Sequence, residues 1–374
     1  MMILTNAQIV LPDHIIAGHL TVEDGVIATI EPGHGGAGID CEGDFLIPGI
    51  IDLHTDNLER QVLPRSNARW PSRSALLAHD AQCAVAGVTT VFDALCLGDI
   101  GFEKERLQTF LDGQRDLAAL TGTHLLKADH FLHLRCELPS PMMLDLLDAA
   151  ITDKLVRLIS LMDHSPGVGQ YADIEKYRQM RASEGHHPDA ITAMIEQLQQ
   201  SRARWTLPNR AAVLNRARDH GIPVASHDDR TLAEVIDNHR DGIAIAEFPV
   251  TEEAAACART HGITTIGGAP NIVRGGSHSG NVAVLDLVRA GLIDALASDY
   301  VPASMIEAAF ACVTQSVVAL PAAIALISAG PAAMVGLADR GRLAPGLRAD
   351  LVQVRLHHDM PVIRAVWRAG TRVA

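Results

Sequence analysis

Apolar and polar positions alternate in short runs over residues 1–47, where "AQIVL", "GHLTVED" and "GVIATIEPG" carry the period-two pattern of strands with one buried face. The pattern then changes: continuous apolar runs, as in strands buried on both faces, alternate with amphipathic helical stretches. The predicted strands are "FLIPGIIDLHTD", "GVTTVFDAL", "FLHLRCELP", "LVRLISLMDH", "IPVASHDD", "GIAIAEFP", "ITTIGGAPN" and "LIDALASDY", eight in all. Repeated β–α units in that number predict an α/β fold, a (β/α)8 TIM-type barrel with its chemistry at the carboxyl ends of the strands. The chain end returns to short strands in "ADLVQV" and "PVIRAVWRAGTRV". Residues 1–47 and 339–374 are therefore expected to pair into one small composite β-sandwich beside a barrel of residues 48–338. The polar helical stretch "EKYRQMRASEGHHPDAITAMIEQLQQ" predicts a helical insertion around 170–215. No internal repeat or low-complexity linker is seen.

One run tests the alternative of a membrane protein. "QSVVALPAAIALISAGPAAMVGLAD" carries no charge between Gln315 and Asp339, long enough to span a bilayer. Pro321, Gly330 and Pro331 break it into a short helix, a turn and another short helix, so packed helices are the better reading. The start, "MMILTNAQIVLPD", lacks both a basic segment and a long apolar one, so no signal peptide is expected and the predicted compartment is the cytoplasm. The six cysteines show no CxxC spacing and read as small core residues in a reducing compartment. A net charge of −13 and an aromatic content of 3% argue against a nucleic-acid surface.

The strand ends carry the candidate chemistry. The first ends in His54 and Asp56, the third in Glu137, the fourth in Asp163 and His164, the fifth in His227 and the eighth in Asp299. On a regular strand, residues i and i+2 share a face, which would aim His54 and Asp56 the same way. Imidazole nitrogens and carboxylate oxygens suit Zn²⁺, Mn²⁺ or Fe²⁺, and a carboxylate such as Glu137 can bridge two cations. Taken singly, each residue is more often a loop cap, because such residues favour turns. Ligand types at the same end of five strands are much less easily explained by chance. His124, His130, His186, His187, His357 and His358 lack that placement and read as surface or supporting residues.

With "IPGIIDLHTDN", "HLRCELP", "SLMDHSPG", "ASHDD", "IAEFP", "GAPNIVRGGSHSGNV" and "SDYVPAS" in view, the whole chain resembles the amidohydrolase superfamily, in its phosphonate-metabolism branch. The resemblance implies two divalent cations, Zn²⁺ first with Mn²⁺ or Fe²⁺ as alternatives, held by His54, Asp56, Glu137, His164, His227 and Asp299. It implies hydrolysis of α-D-ribose 1-methylphosphonate 5-triphosphate to the 5-phosphate and pyrophosphate, a step of the carbon–phosphorus lyase pathway. Asp56 stands where the wider superfamily carries a second histidine, and Glu137 where it carries a carbamylated lysine. Both changes make the cage more anionic.

An anionic ribosyl triphosphate needs positive charge that this acidic chain must supply locally. The segment "GGAPNIVRGGSHSGN", residues 267–281, offers Arg274, Gly275, Gly276, Ser277, His278 and Asn281. Glycines let backbone N–H groups face an anion, and arginine clamps phosphate oxygens. An ordinary βα loop fits the same residues; the resemblance tips the reading to phosphate binding. Arg135 shares a predicted strand face with His133 and Glu137, aimed at the barrel mouth or ion-paired with Glu137 or Asp163. Arg65, Arg69 and Arg73 could add charge at the mouth, although solvation is the commoner fate of each. Asp299, with Glu137, is the expected catalytic carboxylate, placed to orient or deprotonate water. A hydrolase of C–N bonds, either a cyclic amide hydrolase or a deaminase, is the rival activity. The sequence leaves open the oligomeric state and the roles of His79, Asp163, Asp228 and Glu247.

Overall fold

Strand-forming residues at the amino end give β1 (Met2–Val10), β2 (Ile15–Glu23), β3 (Val26–Pro32), β4 (Ile39–Asp40) and β5 (Phe45–Pro48). The barrel strands follow as β6 (Ile50–Thr55), β7 (Val88–Leu97), β8 (Asp129–Glu137), β9 (Val156–Met162), β10 (Val224–His227), β11 (Ile245–Glu247), β12 (Thr264–Gly268) and β13 (Ala295–Ala297). The chain closes with β14 (Leu351–His357), β15 (Met360–Arg368) and β16 (Thr371–Arg372). This computed structural model describes residues 1–33, 35–65, 68–98, 105–277 and 281–374.

Both chain ends build one separate sheet, in the order β16-β15-β14-β5-β1-β2-β3, with β4 against β1. Alternate residues of its strands, among them Leu4, Ile9, Leu20, Ile27, Leu46, Leu351 and Trp367, share one buried apolar cluster. The predicted first strand "FLIPGIIDLHTD" is in fact two. β5 pairs with β1 and β14, whereas β6 enters the barrel. The chain changes sheet at Gly49, whose N–H donates to Asp350 O at 2.8 Å. A Cβ on Gly49 would lie 2.2 Å from Thr89 Oγ1, so only glycine passes there.

β6 to β13 run parallel in sequence order. The ring is drawn together by a parallel bridge between Thr55 and Asp299. Its interior is a packed core of Ile51, Leu53, Phe92, Leu158, Ala225, Ile245, Ile266, Ala295 and Ala297. Such filling makes the barrel a scaffold and confines chemistry to its mouth. The crossover from β9 to β10 holds the predicted insertion as a short helix, Ile174–Ser183, and the first part of a long one, Pro188–His220. Beyond its internal Pro208, that helix buries Asn209, Val213 and Ala217, with Asn209 Nδ2 donating to Leu138 O and Ser140 O. The charge-free run forms two helices, Leu320–Ala325 and Ala329–Met334, whose residues join buried clusters. Among the described residues, no helix is long and apolar enough to cross a membrane. All six cysteines are buried and unpaired.

Candidate active site

The end of β6 owes its aim to an irregularity. Its pairing with β7 slips between Asp52 and Thr55, a bulge that redirects the side chains beyond it. Leu53 packs into the barrel interior, while His54, its immediate neighbour, lines the cavity above. Asp299 N donates to His54 O at 2.9 Å, and Asp56 N donates to Asp299 O at 2.5 Å, joining the ends of β6 and β13. For this, Asp299 adopts a left-handed φ of 57°, which costs a non-glycine residue about 1 kcal/mol or more but which Asp tolerates better than most. One ligand atom from each of His54, Asp56 and Asp299 then lies within 4.8 Å of the others, and His164, His227 and Asp228 form a second group equally close.

β8 places Phe131, His133, Arg135 and Glu137 on its inward face, rising toward the mouth. His133 donates from Nδ1 to Leu53 O at 2.9 Å and accepts from Ser160 Oγ at 2.6 Å on Nε2. Burial lowers it to about 4, only partly opposed by Glu247, so it is neutral. Arg135 is engaged by Asp56 at 2.5 Å and by Met162 Sδ at 3.2 Å, not by Glu137 or Asp163. Asp163 turns away to Arg202 at 2.7 Å. Glu137 Oε1 meets His164 Nδ1, and its buried Oε2 has no hydrogen-bond partner among the described residues. Glu137 Oε1 thus sits on the His164 side of the site, where Cys96 Sγ also approaches it at 3.9 Å.

Glu247, at the end of β11, is the support beneath both groups. Fully buried, it lies 3.3 Å from His54 Nδ1 with one oxygen and 3.3 Å from His227 Nδ1 with the other. Those contacts turn both Nε2 atoms toward Asp56 and Asp228, each 3.7 Å away. A carboxylate behind a histidine fixes its tautomer and ring orientation and raises its basicity toward a metal. Burial would lower His54, yet Glu247 and Asp56 lift it to about 10. Burial would raise Asp56, yet Arg135 and His54 hold it well below the usual carboxylate range. Burial and the neighbouring charge of Asp56 push Asp299 up to about 6. Oxygen and imidazole donors around an anionic centre, with an unpartnered buried carboxylate oxygen on Glu137, fit a site for divalent cations.

The cavity over these groups has a volume of about 270 Å³. Arg106, Arg135, Tyr171, Arg274, Ser277 and Asn281 line it beside the ligand candidates. The expected glycine-rich loop is partly a helix, Ala269–Arg274, started by Pro270 and ended by Gly275 at φ 79°. Gly275 therefore serves as a helix terminator and does not line the cavity, whereas Gly276 does. His278 lies outside the described residues. Arg69 and Arg73 do not add charge to the mouth; they pair with Asp112 and Asp116 at 2.8 and 3.2 Å, and Arg65 is exposed. His130 is no surface residue: it is buried on the outer face of β8 with Asp93, Asp80 and His79. The roles of Glu247 and Asp228, left open by the sequence, are at the site, and Arg106 joins them as a lining residue the sequence did not single out. The first two stand in stretches already singled out, "IAEFP" and "ASHDD"; Arg106 carries no sequence signal.

Comparison with known proteins agrees with this geometry. Residues 250–374 match the model described as the amidohydrolase family. The 5-methylcytosine deaminase from Klebsiella pneumoniae superposes with a TM-score of 0.63 at 16% identity, covering 100% of this chain and 98% of that one. N-acetyl-D-glucosamine-6-phosphate deacetylase from Mycobacterium smegmatis gives 0.63 at 16%, covering 100% of both. At such identities, these two show the fold alone. The alpha-D-ribose 1-methylphosphonate 5-triphosphate diphosphatase of Escherichia coli (strain K12) is 42% identical over 380 residues, which span 100% of both chains. The chain belongs to the family of that diphosphatase, and its residues 250–374 carry the amidohydrolase match.

Proposed function

We propose that this protein hydrolyses α-D-ribose 1-methylphosphonate 5-triphosphate to the 5-phosphate and pyrophosphate, as a step in phosphonate use. The observation that carries this reading is a cavity that sets arginines over a histidine–carboxylate floor, in a chain 42% identical to the diphosphatase along its whole length. His54, Asp56 and Asp299 would hold one divalent cation, and His164, His227 and Asp228 a second, with Glu137 Oε2 completing the His164 side. Zn²⁺ suits this donor set best, followed by Mn²⁺ and Fe²⁺. Cations so held supply Lewis acidity and bring the ionisation of water close to neutral pH.

The protein's own groups do the rest. Asp299 orients the attacking water and takes its proton. Arg274, Ser277 and Asn281 receive the departing pyrophosphate, whose charge grows as the bond to the α-phosphorus breaks. Arg135 holds Asp56 in place, and Glu247 keeps the Nε2 atoms of His54 and His227 facing the cavity. The compartment is the cytoplasm, which six buried unpaired cysteines support. Pyrophosphate release by Zn²⁺-loaded protein, with no ammonia or amine released from a panel of cyclic amides and aminopyrimidines, is the expected result. Turnover of the C–N substrates alone would overturn the reading.

A further inference from the structure

We infer that Phe248 is a positioning residue for the cation pair: its ring fixes the planes of His54 and His227, which belong one to each ligand group. The inference rests on the two-cation site of the proposed function and extends it to the residue that holds that site in shape. Phe248 is not a ligand and has nothing to titrate, so its part is purely geometric.

The backbone gives the first sign. Just past the ends of β10, β11 and β13, Asp228, Phe248 and Asp299 take left-handed φ values of 55°, 54° and 57°. Each donates its N–H to a neighbouring strand: Asp228 to Glu247 O at 2.9 Å, Phe248 to Ile266 O at 2.8 Å and Asp299 to His54 O at 2.9 Å. The shared turn brings three side chains to the mouth of the barrel, and all three line the cavity. Asp228 and Asp299 are ligand candidates, and aspartate tolerates this conformation. Phenylalanine does not. For a bulky side chain such a φ is an outlier, and it persists only where the surroundings over-determine it. Strain of this kind collects at functional sites.

The ring packs edge-to-face with both histidines. Its centroid lies 5.0 Å from that of His54 at an interplanar angle of 73°, and 5.4 Å from that of His227 at 87°. The two imidazoles lie 5.8 Å apart and 22° from parallel. Glu247 approaches each at Nδ1, but contact at one ring atom leaves the plane free to turn about the broad χ2 torsion. Edge-to-face packing is directional and removes that freedom. The same phenyl ring packs against the apolar cluster inside the barrel, so both imidazole planes are referred to the rigid scaffold. Histidines already held in their binding planes lose less freedom when they take up a cation.

The test compares full-length wild type with Phe248→Ala, Phe248→Gly and Phe248→Tyr. Chelator competition gives the Zn²⁺ affinity, the visible spectrum of Co²⁺-loaded protein reports ligand geometry, and thermal unfolding gives the stability of the metal-free protein. Wild type should bind two cations. Phe248→Ala should bind Zn²⁺ about tenfold more weakly or worse, the usual loss when a group that orients a ligand is removed, and its Co²⁺ bands should shift. Phe248→Tyr keeps the ring and should stay close to wild type in both readouts. Phe248→Gly adopts this φ freely, so it should melt above Phe248→Ala when metal-free, yet lose as much affinity. A ring that served only as packing would not separate stability from cation binding in that pair. Unchanged affinity and spectra in both variants that lack the ring would overturn the assignment. So would affinity that recovers in Phe248→Gly along with its stability. A wild type that holds fewer than two cations refutes the two-cation reading, and the inference falls with it.

Discussion

His130 should make the stability of this protein fall at alkaline pH, and its replacement should remove that dependence. Its side chain is sealed between two carboxylates, with Nδ1 at 2.8 Å from Asp93 Oδ2 and Nε2 at 3.2 Å from Asp80 Oδ1. Asp93 is also held by His79 Nε2 at 2.7 Å, and Asp80 accepts the backbone N–H groups of Lys127 and Ala128. Each ring nitrogen of His130 thus faces a carboxylate oxygen, and only the imidazolium can donate to both. Burial alone would lower its pKa, but Asp93 and Asp80 raise it to about 10 from the ordinary 6.5. At ~1.4 kcal/mol per pH unit, that interval is worth ~5 kcal/mol. The folded-state pKa is raised, so the contribution is fully present below pH ~6.5 and is lost as pH rises toward ~10. Asp93 and Asp80 are depressed, so their contribution is present above pH ~4 and is lost in stronger acid.

Substituting His130→Gln leaves a buried carboxylate without its cation, a loss of about 3–5 kcal/mol where the imidazolium is intact. Urea unfolding followed by circular dichroism at pH 6, 7.5 and 9 measures both proteins. The gap between them should be widest at pH 6 and shrink by ~3 kcal/mol by pH 9, since every other titrating group is common to both. Unfolding midpoints that stay parallel across this range would refute the account of His130 as a buried imidazolium.

Three further outcomes follow from the site. Asp299→Asn should reduce kcat by at least a hundredfold with little change in substrate binding; a loss confined to KM would make Asp299 a positioning residue only. Asp56→Ala should purify with less bound metal, and unchanged stoichiometry by elemental analysis would remove Asp56 from the ligand set. Glu247→Gln keeps the shape but weakens the basicity given to His54 and His227, so metal affinity measured by chelator competition should fall about 10–100-fold. An unaltered affinity would leave Glu247 a core residue.

Much of this architecture was legible because each barrel strand is a short apolar run that stops at a polar residue. His54, His164, His227 and Asp299 could be placed at one rim from that pattern alone. The transition at Gly49 was not legible: two strands of different sheets read as one apolar run, and only the crowding by Thr89 and Asp350 separates them. Nor was the β6 bulge, which lets both Leu53 and His54 face inward where simple alternation allows one. Glu247 ends a strand as many residues do, and its role depends on two histidines brought to it from β6 and β10. His130 lies on the outward face of its strand, where a histidine ordinarily meets solvent; here Asp80 and His79 of the covering helix Ser72–Val85 complete a buried ion cluster. Such roles come from contacts across the fold that no local spacing encodes.

The central claim is hydrolysis at the α-phosphorus in this cavity. Phosphorus NMR of Zn²⁺-loaded protein acting on α-D-ribose 1-methylphosphonate 5-triphosphate in ¹⁸O-water tests it most directly. The account predicts pyrophosphate without label and a 5-phosphate carrying one solvent oxygen. Label found only in pyrophosphate, or release of orthophosphate, would contradict it.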